Sequence, residues 1–376
     1  MLIYVKSVRP NMSDIDTAGL GKVCARLGDA VIDPVVWPEI LEQISAAVGA
    51  IGAVLLQSDA RTSDVPRSAG IDEMINAYFG NGWHTRDLRA DRGFTLIQKG
   101  EVVVTDQDIV TPDEMQRSFY YNELVAAYGL RWFVGIPIWA GPALWAISIQ
   151  RTPQQGSFEA NDKRVLAHLS PRLTEIASLS TAVGRISLSS ATYALNAVRQ
   201  PAVAIDRLGF VLDVNPTADA LFDENIRVSS RRLVVGDAEA KICLEKLMDR
   251  LRLTSDKATL QCEAIVIRRR EKSPVVLRVL PVHGAARTPF LGARALLTLT
   301  VVEPRPGPKL ALLAKAFGLT PAEARLASII AEGLNPERAA EELGISKVTV
   351  RNQLKAIFGK TGSHRQSELV ALLSRL

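Results

Sequence analysis

The chain contains few of the residues that make disulfide frameworks or metal sites. Its 376 residues include three cysteines, Cys24, Cys243 and Cys262, which are odd in number and far apart. Without a C-x-x-C spacing, they indicate neither a disulfide framework nor a zinc site. No apolar run is long enough for a signal segment or a membrane span. These absences favour a protein of the reducing cytoplasm that is neither exported nor anchored in a membrane.

Signatures of catalysis are also missing. The chain has four histidines, His84, His168, His283 and His364, and no two of them have the spacing of metal ligands. There is no glycine loop that ends in lysine followed by serine or threonine, and no G-x-S-x-G elbow. We therefore expect neither enzymatic activity nor a bound metal.

The composition is that of folded globular domains. Hydrophobic residues make up 47% of the chain and charged residues 23%, which allows ordinary cores without disulfides. The length predicts two or three domains. A formal net charge of +5 permits binding to nucleic acid but does not by itself indicate it. The position of the charge along the chain is more informative.

The last 58 residues, 319–376, show the clearest helix signals of the chain. Thr320 and Glu323 have the spacing of a capping box, and Asn335 is a good cap for a second helix. Gly344 ends that helix, and Ser346 is placed to cap a third. Short helices joined by so tight a turn are typical of a helix-turn-helix.

The third helix carries its charge on one side. Val350, Leu354, Ile357 and Phe358 form its apolar stripe, and no Asp or Glu occurs from Ser346 to Gln366. The outer face is predicted to present Lys347, Val348, Arg351, Asn352 and Lys355. A solvated surface helix normally mixes charges of both signs, so this face indicates a DNA-binding helix.

Roles in DNA binding follow from the predicted facing of the side chains. Arg351 suits the acceptors of guanine and Asn352 suits adenine. Phosphate contacts are expected from Thr349, Lys360, Arg365 and Gln366. Ser346, Lys347 and Lys355 complete the predicted DNA-binding residues.

The same segment resembles the LuxR-type helix-turn-helix domain. The resemblance rests on L-T-P-A-E from Leu319, on Glu332-Gly333-Leu334 and on Thr349-Val350-Arg351, and it covers about the last sixth of the chain. It implies a fourth helix that often dimerises, here with the apolar residues Leu369, Val370 and Leu373. Asn352-Gln353 and Thr361 depart from the usual pattern, so the family's base preference is not carried over.

The first 156 residues read as helices around an antiparallel sheet. Strands are predicted at 53–57, 102–104, 132–139 and 144–149, the last two joined by a hairpin turn at Ala140-Gly141-Pro142, and a helix is predicted from Pro112 to Tyr128. This order resembles a GAF-like fold or the autoinducer-binding domain of quorum-sensing LuxR proteins.

The second of these likenesses rests on Tyr78, Trp83 and Asp87, and it implies an aromatic ligand pocket with an aspartate. Tyr120 and Trp132 are further candidates for its lining. The alternative is that the rings are core residues and that Asp87 pairs with Arg86 or Arg131.

Residues 157–198 predict a helical connector. Its apolar stripe is formed by Leu166, Leu169, Leu173, Ile176 and Leu179, and Pro171 interrupts the pattern. Two interpretations are open. The connector either pairs with the same helix of a second copy or packs against the sheets of its own chain.

Residues 199–303 resemble a PAS domain, because a strand pair at 202–206 and 210–215 leads through Asn215-Pro216-Thr217-Ala218 into a helix. A helix at 238–253 and strands at 264–268, 275–282 and 295–302 complete five strands. The long helix lacks a histidine for haem, and no cysteine stands where flavin adducts form, so no cofactor is expected. A linker is predicted at 304–318, rich in proline at its start.

The sequence thus predicts an α+β multidomain protein with a GAF/PAS-like N-terminal sensory domain, a central PAS-like domain and a C-terminal all-α four-helix domain. We expect a bacterial transcriptional regulator that binds double-stranded DNA, forms a homodimer and is controlled by a small molecule or a partner sensed by the N-terminal and PAS-like domains. The alternative is a regulator without an effector, whose upstream domains serve only dimerisation and contacts with other proteins.

Overall fold

The computed structural model describes residues 15–59, 62–253, 263–303, 307–374 and 376. Its contacts divide the chain into two compact units, Met1–Val301 and Val302–Leu376. The larger unit combines helices with antiparallel sheets, and the smaller one is helical. The mixed α and β class expected from the sequence is therefore present.

The first sheet of the larger unit has four antiparallel strands. They are β1 (Gly52–Gln57), β2 (Val104–Thr105), β3 (Trp132–Ala140) and β4 (Ala143–Arg151), in the order β1-β4-β3-β2. Ala140 faces Ala143 across the predicted hairpin turn. The four predicted strands are confirmed, although β2 begins at Val104 and not at Val102.

Helices cover both faces of this sheet. They are α1 (Thr17–Arg26), α2 (Asp29–Ile32), α3 (Trp37–Ala47), α4 (Asp72–Gly80), α5 (Leu88–Gln98), α6 (Asp106–Ile109) and α7 (Pro112–Arg117). The single helix predicted from Pro112 to Tyr128 is wrong. Ser118 is extended, and a π-helical segment, Tyr120–Val125, follows α7. This break allows the adjacent Tyr120 and Tyr121 both to be buried.

The strand alternation divides the interior into two cores. Ala53 and Leu55 of β1 face one core together with Trp145 of β4. Val54 and Leu56 face the other. Because neighbouring residues of a strand point to opposite faces, each strand contributes to both cores. The second core, under α4 and α5, contains the cavity described below.

The predicted connector consists of two helices, α8 (Ala160–Ala167) and α9 (Leu169–Ala197). The break lies at His168, and Pro171 falls in the first turn of α9, where its missing N–H leaves no hydrogen bond unmade. Four stripe residues, Leu166, Leu169, Leu173 and Ile176, are buried in the core of their own chain. For these four residues the interpretation of packing against the chain's own sheets is confirmed.

The second sheet has five antiparallel strands in the order β6-β5-β11-β10-β9. Its elements and their neighbours are β5 (Ala202–Asp206), β6 (Val211–Val214), α10 (Pro216–Asp219), β7 (Ile226–Ser229), β8 (Arg232–Val235), α11 (Ala238–Leu253), β9 (Ile265–Arg269), β10 (Lys272–Pro281) and β11 (Ala293–Val301). The five predicted strands and α11 are confirmed, whereas the hairpin β7–β8 was not predicted. Cys262 lies outside the described residues.

The second sheet also packs against α9. Ala204 of β5 and Leu296 of β11 form a small core with Leu188 of α9. The earlier part of α9 packs on β3 through Leu173 and Ile176. One helix thus supports both sheets of the larger unit.

The smaller unit consists of α12 (Leu310–Phe317), α13 (Pro321–Ala331), α14 (Pro336–Leu343), α15 (Lys347–Thr361) and α16 (Gln366–Leu373). The second half of the predicted linker is therefore helical, with Leu313 of α12 buried in the core of the unit. The start of that linker, 304–306, lies outside the described residues. The boundaries predicted for the upstream domains stay predictions.

The apolar residues of α16 are not available for dimerisation as expected. Leu369 and Leu373 are buried in the core of the smaller unit, and Val370 is partly buried against it. Helix α16 packs against α13 in the same chain. Their burial within one chain corrects the prediction that this stripe meets a second copy.

Candidate functional site

The predicted helix-turn-helix is built by local hydrogen bonds. The Ser346 hydroxyl accepts a hydrogen bond from the backbone N–H of Thr349 (3.0 Å) and so caps α15. Asn335 caps α14 through the N–H of Arg338 at 2.9 Å. Gly344 ends α14 with φ +64°, a conformation that favours glycine. These contacts fix where each helix begins and ends.

The burial of α15 follows the predicted facing. Val350, Leu354 and Ile357 are buried in the core of the unit, between α13 and α14. The opposite face is exposed and presents Lys347, Val348, Arg351, Asn352 and Lys355. Small residues of α14, Ala339 and Ala340, are buried where the two helices meet. The helix is thus fixed on one side and open on the other.

The exposed face of α15 is positively charged. Within the described residues, Lys347, Arg351 and Lys355 take part in no ion pair. Val348 lies among them with 65% of its surface exposed. A face that joins free cations, an amide and a methyl-bearing side chain has the groups needed to contact phosphates and the edges of bases.

Lys360 has a different environment from the other basic residues. Its Nζ lies 2.6 Å from Oε2 of Glu323, so it joins the end of α15 to the capping box of α13. The same carboxylate accepts a hydrogen bond from the backbone N–H of Thr320 at 2.7 Å. The hydrogen bond from Lys360 and then that from Thr320 lower the pKa of Glu323. Lys360 therefore links α15 to α13 within the unit, and its predicted phosphate contact stays a prediction.

Three other predicted phosphate contacts lie near the ends of helices. The Thr349 hydroxyl is hydrogen-bonded to that of Ser346 at 2.8 Å. Arg365 is exposed just before α16. Gln366 donates from Nε2 to the carbonyl oxygen of Leu334 at 3.3 Å. Thr349 and Arg365 are exposed, and the roles of all three residues stay predictions.

A cavity lies in the second core of the larger unit. It encloses about 50 Å³ between the first sheet and helices α4 and α5. Apolar side chains form most of its wall, among them Val54, Leu56, Met74, Phe94 and Ala146. The polar groups that line it are Tyr78, Asp87, Arg89, Tyr120, Ser148 and Gln150.

Asp87 is the acidic residue in the wall of this cavity. It is 3% exposed, and its Oδ1 caps α5 by accepting from the N–H of Ala90 at 3.0 Å. The Tyr78 hydroxyl donates to its Oδ2 at 2.7 Å. Burial, and then the negative charge of Asp87, raise the pKa of Tyr120 well above its usual value. Two tyrosines and a carboxylate therefore form one buried polar cluster, and the expected pairing of Asp87 with Arg86 or Arg131 is not seen.

Arg89 is the basic residue in the wall of the cavity, and hydrogen bonds anchor it. Its Nε donates to Oδ1 of Asp106 at 2.9 Å, and its Nη1 donates to Oε1 of Gln150 at 2.9 Å. Its Nη2 donates to the carbonyl oxygen of Arg131 at 2.6 Å. Burial opposes the charge on Arg89, but the carboxylate of Asp106 raises its pKa overall. Arg89 thus shapes the wall as a fully charged, fixed group.

The predicted pocket residues are only partly brought together. Tyr78, Asp87 and Tyr120 line the cavity. Trp83 packs instead against Phe119 and Tyr120, with the guanidinium of Arg86 4.2 Å from its ring centre. Trp132 is half-buried beside a separate groove.

Arg89, Ser148 and Gln150 were not predicted to line a site. Ser148 and Gln150 have one visible signal in the sequence, since they alternate as polar residues in the otherwise apolar strand β4. Strand alternation places them on the same face as Ala146, which points into the cavity.

Two further findings concern metals and membranes. Among the described residues, no three His, Cys, Asp or Glu side chains form a group that could hold a metal ion. Within the same part of the chain, no helix combines the length and the apolar character needed to cross a bilayer.

Comparisons with known proteins give structural likeness only. No family model matches the sequence, and no curated protein matches it at a significant level. The chain is similar to the VqsR LBD domain from Pseudomonas aeruginosa with a TM-score of 0.33 and 17% identity, over 43% of this chain and 94% of that one. It is similar to phage VqmA in a complex with DPO with a TM-score of 0.20 and 15% identity, over 49% and 86%. For the E. coli DhaR(N)-DhaL complex the values are 0.25 and 12%, over 76% and 90%. At TM-scores below 0.5, no argument about function rests on these likenesses.

Proposed function

We propose that this protein is a sequence-specific, DNA-binding transcriptional regulator of the LuxR type that acts in the bacterial cytoplasm, and that it is not an enzyme. The observation that carries the proposal is the exposed face of α15, where Lys347, Arg351 and Lys355 surround Asn352 and Val348. The opposite side of the same helix is fixed in the core, so the face is presented on a rigid support.

The side chains of this face suit the major groove. Arg351 has the donors for a bidentate contact with guanine, Asn352 has the donor and acceptor for adenine, and Val348 has methyl groups for thymine. Lys347, Lys355 and Arg365 supply charge for phosphates. One short helix reads few base pairs, so we propose that a homodimer binds two half-sites about 34 Å apart.

The cavity of the larger unit is the proposed sensing site. Its wall is mainly apolar, and Asp87 and the two tyrosines beside it are buried acceptors and donors. Such a lining suits a small, largely apolar and uncharged molecule with an N–H or O–H group that donates to Asp87. Binding there would bias the conformation of the larger unit.

Selection of DNA fragments tests the first part of the proposal. Full-length protein is mixed with a pool of random duplexes, bound fragments are sequenced, and affinity is measured by fluorescence anisotropy at several salt concentrations. We expect a defined motif, with binding to it that exceeds binding to a shuffled duplex by at least about a thousandfold. Equal affinity for all duplexes would contradict sequence-specific regulation.

Native mass spectrometry of the purified protein tests the second part. A retained small molecule that is absent from the variant Ala146→Phe, which fills the cavity, would support sensing at this site. The matched control Ala238→Phe changes an exposed alanine at the start of α11, outside the cavity, and should retain the molecule. A protein with no bound molecule, and with DNA binding unchanged in Ala146→Phe, would favour the regulator without an effector.

A further inference from the structure

The outer side of α9 carries large apolar side chains at a spacing of seven residues. Leu179 is 46% exposed, Ile186 67% and Tyr193 75%. In a helix, residues seven apart lie on one face, so these three form a single row about 21 Å long. We call it the outer row.

The surroundings of the outer row are also unlike a solvated helix face. The exposed positions between its members are small, with Ala182, Ser189 and Ser190 nearest to it. From Ile176 to Val198 the sequence contains one charged residue, Arg185. A helix face that meets only water normally carries several charges of both signs. The outer row therefore has the character of a contact surface.

The helix cannot turn this row inward. Its opposite face is occupied by Ile176, Ala177 and Leu188, which are buried against the two sheets. A methyl group on Gly184 would lie 3.0 Å from the carbonyl oxygen of Ala285, so the helix is packed tightly at its middle. The row remains on the outside of the larger unit, and no described residue of the chain covers it.

More apolar surface lies beside the same helix. Helix α2 packs against α9, and Ile32 at its end is 69% exposed. Val35, three residues further on, is 81% exposed. Besides the three side chains of the outer row, the larger unit therefore exposes apolar residues at the end of a helix that packs on α9 and just after it.

We infer that a second copy of this chain covers the outer row, with the two α9 helices side by side and parallel about a twofold axis. A seven-residue repeat is self-complementary in this arrangement, because each large side chain meets its own counterpart. The small residues Ala182 and Ser189, which alternate with the large ones, let the two helices approach closely. The outer row is thus the surface through which the homodimer proposed above would form. Only the role of this dimer in DNA binding rests on the proposed function.

The position of Arg185 favours the parallel arrangement. In an antiparallel pair centred on Ile186, the two Arg185 side chains would flank the same point and repel each other. In the parallel pair, each Arg185 lies next to Ser190 of the second copy. The single charge of this face is thereby accommodated without an unfavourable contact.

Sedimentation of the full chain without DNA tests the surface. We expect a dimer at micromolar concentration and expect Ile186→Glu to weaken dimerisation by about a hundredfold, because a carboxylate would be buried without a partner. The matched control Ile242→Glu changes a similarly exposed isoleucine of α11, 53% exposed, and should leave the dimer intact. Circular dichroism establishes that both variants are folded.

Disulfide formation tests the direction of the pair. With Cys24, Cys243 and Cys262 replaced by serine, Ala182→Cys alone should form a covalent dimer on mild oxidation. A chain that retains only the exposed Cys243 should remain uncrosslinked. Crosslinking only in a mixture of Ala182→Cys and Ser190→Cys chains would show an antiparallel pair and overturn the parallel arrangement.

A monomeric wild-type chain, or a dimer equally stable in Ile186→Glu, would overturn the inference altogether. Failure of the DNA-binding proposal can be told apart from failure of this inference, because the preference of the same protein for its selected duplex is measured in a separate experiment.

Discussion

Nη1 of Arg294 lies 2.8 Å from Oδ2 of Asp64, and this buried ion pair links the second sheet to the segment that follows β1 of the first sheet. The two side chains are 2% and 8% exposed. Nearby, Nη2 of Arg207 donates to Oε1 of Gln57 at 2.9 Å, and its guanidinium lies 5.0 Å from the ring centre of Trp145. The two sheets are therefore joined by buried polar contacts as well as by α9.

The contacts of Arg207 with Gln57 and Trp145 lie on the side of the first sheet that faces away from the cavity. Their neighbours in the strands, Leu56 and Ala146, line the cavity. Arg207, which follows β5 of the second sheet, therefore contacts residues that directly adjoin cavity-lining positions of β1 and β4.

The first prediction concerns the contribution of the Arg294–Asp64 ion pair to stability. Asp64→Ala should lower the free energy of unfolding of the larger unit by about 3 kcal/mol, because Arg294 loses its carboxylate inside the protein. Urea unfolding followed by tryptophan fluorescence measures the change, since all five tryptophans lie in this unit. Asp113→Ala is the control, at a side chain that is 81% exposed. Equal midpoints for the two variants would contradict the role of the pair.

The second prediction separates base contacts from phosphate contacts. Arg351→Ala should cost about 1 to 3 kcal/mol of binding free energy on the selected duplex and relax the preference at one position. Arg365→Ala should weaken binding to all duplexes alike and reduce the salt dependence by about one counterion. The control Arg325→Ala removes an exposed arginine of α13, outside the face of α15. Identical losses on every duplex for both Arg351 and Arg365 variants would refute the assigned roles.

The third prediction concerns Lys360 and pH. Because its folded-state pKa is lowered, the Glu323 carboxylate stabilises the smaller unit above its unfolded pKa of about 4.3 and loses this contribution as pH falls through the folded value. Hydrogen exchange of α13 and α15 should therefore accelerate as the pH is lowered through this range, beyond the intrinsic effect of pH. In Glu323→Gln that extra acceleration should be absent.

Lys360→Ala supplies a companion measurement at neutral pH. We expect faster hydrogen exchange in α13 and α15, whereas Lys355→Ala, at an exposed residue of the same helix, should leave exchange unchanged. Unchanged exchange in Lys360→Ala, together with a uniform loss of DNA affinity, would contradict the structural role and support the phosphate contact predicted from the sequence.

The fourth prediction distinguishes a ligand-binding Asp87 from a purely structural one. Asp87→Asn retains the oxygen that caps α5, and its amide NH2 takes the position of Oδ2, where it can donate to the Tyr78 hydroxyl oxygen. Its thermal stability should therefore stay close to that of the wild type. Asp87→Ala removes both contacts and should destabilise the unit by about 2 kcal/mol.

If Asp87 binds the effector, the Asp87→Asn variant should remain folded but its DNA affinity should change less when the effector is added. The measurement compares DNA affinity with and without the molecule that the wild type retains. The exposed Asp113→Asn is the control. Unfolding of Asp87→Asn at a temperature at which the wild type is stable would favour a core role for this carboxylate.

The sequence by itself determined the features that depend on residues close together in the chain. The capping box of Thr320 and Glu323, the caps Asn335 and Ser346 and the left-handed Gly344 all appear where the sequence predicts them. Each interaction spans about three residues, so the local sequence contains both partners. The same reasoning predicted the strands of both sheets from apolar runs between turns.

Tertiary structure alone decided which face of a helix is free and which ring lines a cavity. Leu173 and Leu179 belong to one apolar stripe, yet Leu173 is buried against β3 and Leu179 is exposed. Trp83 lies close to Tyr78 in sequence, but only Tyr78 reaches the cavity. Lys360 meets Glu323 from 37 residues away. Such outcomes depend on how distant elements pack, because burial and ion pairing are set by neighbours that the local sequence does not contain.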